Sequence, residues 1–442
     1  MELVILFGVI LGIIVATVRF KVHPVFSLTL AAIVSGLLFG LSPESITKTI
    51  GEGFGKTLSS IGLVIAFGTV IGTFLEKTGG TKVLANAILK LVGLKKSPLA
   101  LNLAGLIISI PVYCDSGFVI LSSLNKALSK KSGIKILVFA IALATGLYSA
   151  HVFVPPTPGP LAAAAILEAD LGMVMLFGLL VAICVSLMGY FWALFIGKRL
   201  HMQKDNLDTP LEALDNNLGN PPSLFNTLLP LFLPLILIAL KSVAEYPTKP
   251  LGNGLLSEIL SFLGNPIVAL FIGVVLSFLM VDKIGKGQVQ DWVGESLKQA
   301  GAIVLITGAG GGFGAILRTL DYASLLQISV ASGLGGLFLA FGVAAVLKSA
   351  QGSSTVSIIT TAAIVAPLLV PFGLEGIVHK ALVVLAIGAG AMTVSHVNDS
   401  YFWVVAEFSK MDMKTALKGH TLATLFQGLT GIGVIILLFL LF

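Results

Sequence analysis

Charge is scarce in this chain. Only 11% of its 442 residues are Asp, Glu, Lys or Arg, while 56% are hydrophobic and the mean hydropathy is +1.03. A water-soluble domain carries roughly 25% charged residues, so the deficit excludes a soluble enzyme or binding module and predicts an integral membrane protein. No formal charge falls between Leu171 and Gly197, Tyr322 and Leu347, Ser349 and Leu374, or Thr421 and Phe442. About 20 apolar residues span the hydrocarbon core as a helix, so each run can cross at least once. Allowing for connections, the pattern predicts about 10 to 12 crossings, with shorter pieces that stop inside the bilayer. Met1–Thr17 has Arg19 and Lys21 behind it rather than a basic stretch ahead, and reads as a first crossing rather than a leader.

Cysteine and arginine are rarer still. The two cysteines, Cys114 and Cys184, sit in apolar stretches and support neither a disulfide framework nor a metal site. No nucleophile–base pair stands out, so neither an enzyme nor a cofactor is expected. The three arginines, Arg19, Arg199 and Arg318, all lie outside the polar clusters described next. An anion bound there would have to be held by helix ends, hydroxyls and histidine. The net charge of +6 comes from lysines gathered at segment ends, as in Lys126–Lys131 and Lys410–Lys418, where anionic lipid favours them. The partner implied is the bilayer, not nucleic acid. Gly308–Gly312 lacks the spacing of a nucleotide loop and reads as close helix packing.

Against this apolar background stand four polar, helix-breaking clusters in two matched pairs. Pro111–Gly117, with Asp115, pairs with Ala350–Thr355, and Asp115 and Gln351 lie 236 residues apart. His151–Pro160 pairs with Ser395–Ser400, their histidines 245 apart. Ile61–Lys77 can also be laid on Ile303–Thr319, both rich in glycine. Three landmarks at similar offsets predict an all-α polytopic bundle built from two repeats with broken helices and re-entrant hairpins; spacing leaves parallel and inverted orientations open, and the paired broken helices favour inverted. The expected organisation is N-terminal scaffold helices over 1–56, a first repeat over 57–197, a polar linker over 198–225, central scaffold helices over 226–298, and a second repeat with a closing helix over 299–442. A short amphipathic stretch is expected at Pro43–Lys56.

Each cluster carries groups that hydrocarbon does not tolerate. A carboxylate at the bilayer centre costs about 2.5–3.5 kcal/mol on insertion scales, so Asp115 is a candidate for proton coupling, with Ser116 beside it for substrate; a carboxylate tied to a helix N-terminus is the structural alternative. Gln351, Gly352, Ser353, Ser354 and Thr355 supply a backbone break, an amide and hydroxyls. A half-helix starting at Ser353 or Ser354 would point free N–H groups at an anion; plain helix packing is the alternative. His151 precedes four prolines within nine residues, which end any helix. That segment should be a re-entrant turn, with His151 a second proton candidate and Thr157 a substrate contact. In the last cluster His396 is a third proton candidate, while Asn398 and Asp399 can hydrogen-bond a polyol. Asp399 can also cap the following helix.

At His151–Pro160, Ala350–Thr355 and Ser395–Asp399 with Phe402-Trp403, the chain resembles the gluconate permease (GntP) family of bacterial proton symporters, a branch of the ion transporter superfamily. His23-Pro24, Gly53-Phe54-Gly55, Ser60–Val64 and Gly79-Gly80 extend the likeness over nearly the whole length. The resemblance implies a multi-pass protein of the bacterial inner membrane that takes up gluconate, a related sugar acid, a short hydroxy acid or D-serine. It also implies a homodimer working by an elevator-like motion, with protons as the coupling ion. Sodium coupling, found in the wider superfamily, is the alternative. Thr157 stands where many relatives carry a histidine, and Ser400-Tyr401 where they carry glycines; Tyr401 is expected to narrow the pocket toward a shorter acid.

Overall fold

Helix starts in this chain are marked by polar caps set just ahead of apolar runs. Ser42 accepts from the Ser45 amide, Asp170 from Met173, Ser353 from Val356 and Asp399 from Tyr401, each satisfying a donor that the first helical turn leaves free. The computed structural model describes residues 8–442 apart from 10–11, 14, 17–19, 21, 201–220, 246–250, 253, 282–285, 318, 320–332 and 398. Most of the first apolar segment, the centre of the expected linker, Arg19, Arg318 and Asn398 therefore lie outside the described residues.

The described elements are all helical. They run α1 (Pro24–Leu38), α2 (Pro43–Lys77), α3 (Gly80–Val92), α4 (Ser97–Ile108), α5 (Cys114–Ser132), α6 (Ile136–Phe153), α7 (Pro158–Ile166) and α8 (Leu171–Arg199). After these come α9 (Leu224–Ala244), α10 (Leu255–Leu263), α11 (Pro266–Ser277), α12 (Lys286–Leu317), α13 (Gly333–Gln351), α14 (Ser354–Val365), α15 (Ile377–Met392) and α16 (Ser400–Phe408). The last, α17 (Met413–Leu441), contains one π-helical turn at Leu417–Thr421.

Among the described residues six helices are long and apolar enough to cross a membrane, or up to nine if bent pairs count as one span. The first of the 10 to 12 expected crossings lies mostly outside the described residues, and apolar pieces such as α14 and α15 are too short to cross alone. The stretch at Pro43–Lys56 is not separate; it is the start of the 35-residue α2. The re-entrant turn expected after His151 is also corrected. Residues Ile136–Ile166 form one span of 31 residues, interrupted at Val154–Thr157 without a sharp reversal. The prolines remove donors, but Thr157 Oγ1 donates to the Val154 carbonyl, and every residue from Ile136 to Ala164 is buried. Protein, not lipid, surrounds the break.

The element order repeats. Helix α2 is followed by α3, then by α4 and α5 around one break, α6 and α7 around another, then α8. Helix α12 is followed by α13 and α14, α15 and α16, then α17. Contacts follow the same exchange: α2 packs on α12 and α6 touches α15, while α5 packs on α16 and α14 on α7. Helices α2 and α12 continue unbroken through residues 56–57 and 298–299. Small residues allow the approaches. A Cβ on Gly146 of α6 would run into the Asn102 carbonyl of α4, and one on Gly53 of α2 would meet the Gly311 carbonyl of α12 at 2.7 Å.

Candidate functional site

The breaks of the two halves come together. In the first half, α5 starts at Cys114 after Pro111–Tyr113, which puts Asp115 in its first turn. A Cβ on Gly72 of α2 would run into the Pro111 carbonyl, and one on Gly68 would meet Pro156 at 3.3 Å, so both first-half breaks lie against one face of α2. The cavity between them, bounded by Thr69, Val112, Tyr113 and Thr157, measures about 10 Å³, room for about one water. In the second half, α13 ends at Gln351 because Gly352 turns the backbone to φ +80°, a left-handed value that glycine adopts freely. Ser353 then caps α14, whose first turn lies against α7 at Gly159 and Thr355. The last break carries a second backbone outlier: Val394, β-branched, sits at φ +57° immediately before Ser395.

At the centre is an ion pair. Lys348 of α13 is fully buried, and its Nζ donates to Asp399 Oδ2 at 2.5 Å. Asp399 Oδ2 also accepts from Ser395 Oγ, and its Oδ1 accepts the Tyr401 amide at 3.0 Å as the cap of α16. Ser395 Oγ lies 3.2 Å from His420 Nε2, on the π-helical turn of α17. That turn places His420, which is buried and whose Nδ1 has no partner; π-turns inside α-helices recur at functional positions. The Ser395 backbone is fixed on both sides, its N–H donating to Thr424 Oγ1 at 2.9 Å and its carbonyl accepting from Thr421 Oγ1 at 2.6 Å.

A buried ion pair sacrifices the hydration of both partners, so its net contribution to stability is small. Removing one partner, however, leaves an unpaired charge and costs about 3–5 kcal/mol. The cluster therefore holds its charges as a unit.

The residues expected from the sequence fall into three groups. Asp115, Gln351 and His151 keep unused polar atoms. Asp115 Oδ1, both side-chain polar atoms of Gln351 and His151 Nδ1 are shielded from solvent without a hydrogen-bond partner. Asp115 lies within electrostatic reach of Lys348 and Asp399, and the His151 ring stacks on Tyr148 at 6.4 Å, facing Tyr113 at 6.1 Å. Others are engaged locally. Thr157 bonds within its own break, His396 Nε2 meets the Ser349 carbonyl at 3.0 Å, and the Ser116 hydroxyl bonds Glu76. Ser354 and Thr355 stand in the first turn of α14, half-buried, beside Gly352 and Ser353. Asn398 lies outside the described residues. Tyr401 fills the space between the halves, its hydroxyl donating to the Ala144 carbonyl at 2.9 Å and its ring 5.2 Å from Tyr148 and 5.4 Å from His420.

Lys348 and His420 were missed. Lys348 corrects the expectation that only helix ends, hydroxyls and histidine are at hand for an anion. The signal was present: Lys348 is the one formal charge between Asp321 and Glu375, as isolated in its stretch as Asp115 is in its own.

A larger cavity, about 560 Å³, opens between α2, α7 and α12. Glu52, Lys56, Thr57, Ser60 and Glu168 line it, with Lys56 and Glu168 paired at 2.6 Å. Its lining reaches Val64 on α2 and Leu161 on α7, one helical turn from Gly68, which faces the Pro156 break, and from Pro158 at that break's edge.

Comparison with known proteins places this architecture. The family model for the GntP family permease matches residues 1–441. A gluconate permease of Pseudomonas aeruginosa is 32% identical over 97% of this chain and 95% of its own length. The D-serine transporter DsdX of Escherichia coli is 33% identical over 93% and 92%. Among solved structures, MtrF of Neisseria gonorrhoeae superposes with a TM-score of 0.69 at 14% identity, covering 96% of each chain, and so shares the fold. The chain belongs to the GntP family of permeases: it is a multi-pass transporter of the bacterial inner membrane and not an enzyme.

Proposed function

We propose that this permease is a proton-coupled symporter that takes up a small hydroxylated monocarboxylate, gluconate or a shorter hydroxy acid. One observation carries the reading: Gln351 keeps its amide N and O shielded and unpartnered at a break that packs on the first half's α7 and lies one helical turn from Lys348, which is within electrostatic reach of Asp115. A buried polar group without a partner is costly, by roughly 1–3 kcal/mol, and a carboxamide both donates and accepts, as a sugar-acid hydroxyl does. Gluconate and D-serine, named for two relatives, share that chemistry: a carboxylate with at least one hydroxyl. The 560 Å³ cavity gives such a molecule a polar approach that ends one turn from the breaks.

The state of the break carbonyls supports protons over sodium. Carbonyls freed at helix breaks coordinate sodium in many carriers. Here the Val154 carbonyl accepts from Thr157, that of Ser349 meets His396, and those of Ser395 and Val397 accept from Thr421 and Trp403. The carboxylate at the same place already has an ammonium as counter-ion. Asp115, His151, His396, Asp399 and His420 are the groups at these breaks able to hold a proton.

Uptake into sodium-free proteoliposomes tests the proposal. Labelled gluconate or glycerate should accumulate under an inward proton gradient, and a protonophore should abolish accumulation. An absolute requirement for sodium, or failure to accumulate any hydroxy acid, would overturn it.

A further inference from the structure

The geometry points to Lys348 as the receptor for the substrate's carboxylate, with Asp399 as the resident anion that the substrate displaces by taking its place while Asp399 takes up a proton. The inference rests on the proposed symport and adds its coupling step. Lys348 sits one helical turn before the unpartnered Gln351 amide on α13, so a hydroxy acid bonded to Gln351 through a hydroxyl can bring its carboxylate to Nζ. The ammonium is fully buried and its described anionic partner is Asp399, so a second anion cannot be added beside the first without an uncompensated negative charge. It can be exchanged for it. One proton from the open side of the membrane adds to Asp399 Oδ2; the Lys348–Asp399 ion pair breaks and the Lys348–substrate pair forms. The cluster gains one anion and one proton, and its net charge is unchanged.

The surroundings of Asp399 suit both of its forms. Ionised, it accepts from Ser395 Oγ, which in turn accepts from His420 Nε2–H. Protonated, Asp399 donates to Ser395 Oγ, whose own hydrogen turns to His420 Nε2, and the imidazole proton moves to the unpartnered Nδ1. When Asp399 is ionised each hydrogen in the chain has an acceptor; when it is protonated the hydrogen left on His420 Nδ1 is the one without, and Oδ1 keeps the Tyr401 amide throughout. Among the described residues, the titratable groups within electrostatic reach of Asp399 are Lys348 on α13, His420 on α17, Asp115 and Cys114 on α5, Tyr148 and His151 on α6, and Tyr401 on its own helix. Lys348 is the cation among them.

Calorimetric titration of gluconate into purified protein, in two buffers of different ionisation heat, counts protons taken up on binding. Wild-type protein should take up one per gluconate. Asp399→Asn leaves Lys348 without a competing anion and should bind at least tenfold more tightly, with no proton uptake and little dependence on pH. The double variant Lys348→Met, Asp399→Asn leaves no unpaired charge. It should stay folded by thermal unfolding, bind at least 100-fold more weakly, and take up no proton. Double-variant binding within threefold of wild type, or wild-type binding without proton uptake, overturns the exchange while leaving symport standing. Wild-type protein that binds no hydroxy acid overturns symport, and the exchange with it.

Discussion

Counting charge in the buried cluster yields a prediction about membrane voltage. Without substrate, Lys348 is balanced by Asp399. With substrate, it is balanced by the bound carboxylate, and Asp399 is neutral. Asp115 Oδ1 is buried without a hydrogen-bond partner, so an ionised Asp115 in the closed protein would stand as a second buried anion beside Asp399, and the neutral acid is the form expected to cross. Both closed states then carry no net charge, and each cycle moves one proton with one monoanion. A proton gradient of one pH unit is worth about 1.4 kcal/mol and should sustain roughly tenfold accumulation. An interior-negative potential of 100 mV should add nothing. If one net charge moved per cycle, that potential would supply about 2.3 kcal/mol and raise accumulation roughly 50-fold. The assay is labelled gluconate uptake by proteoliposomes, with voltage set by potassium and valinomycin and pH set independently. A voltage response approaching 50-fold would refute the charge count.

Other expectations follow from single contacts. Asp399→Asn should destabilise the protein by about 3–5 kcal/mol, because it strands the Lys348 ammonium. The double variant with Lys348→Met should recover most of that loss, and added gluconate should recover it in the single variant; equal thermal stability of all forms in detergent would contradict the buried pair. Gln351→Ala should raise the half-saturating gluconate concentration by about tenfold, the value of one buried hydrogen bond, without lowering thermal stability; an unchanged value would remove Gln351 from the site. Gly146→Ala pushes a methyl into the Asn102 carbonyl and should cost about 1–3 kcal/mol by overpacking, read as a lower unfolding temperature; wild-type stability would argue against the close approach of α4 and α6.

Much of the architecture could be read in the chain because membranes punish exceptions. Asp115 and the Pro155–Pro160 run were visible as intrusions, and the repeat interval between Asp115 and Gln351 foretold that α5 and α14 would hold equivalent places. Ser353 and Asp399 were legible as helix starts, since a hydroxyl or carboxylate ahead of an apolar run caps it. The number of crossings was not legible, because composition does not distinguish a full crossing from a short apolar arm buried in protein, as α14 and α15 are. Lys348 escaped because a lone lysine between two uncharged runs looks like a helix end reaching for the interface. Its partner lies 51 residues away, and only tertiary folding brings the two together. His420 escaped for a similar reason: its neighbours Lys418 and Lys414 suggested a wet helix end, whereas the π-helical turn faces it inward.

The crossed pairing of α5 with α16 and α7 with α14 bears on how the chain is made. Translation runs at about 5–20 residues per second, so α7 leaves the ribosome some 10 to 40 seconds before α14 exists to cover it. During that wait the proline-broken segment and the Asp115 arm must be sheltered by the insertion machinery or by lipid neighbours. An ancestor with half the length would have had no such partner in its own chain and would have needed a second copy; duplication and fusion would turn that encounter between molecules into a step of one molecule's folding.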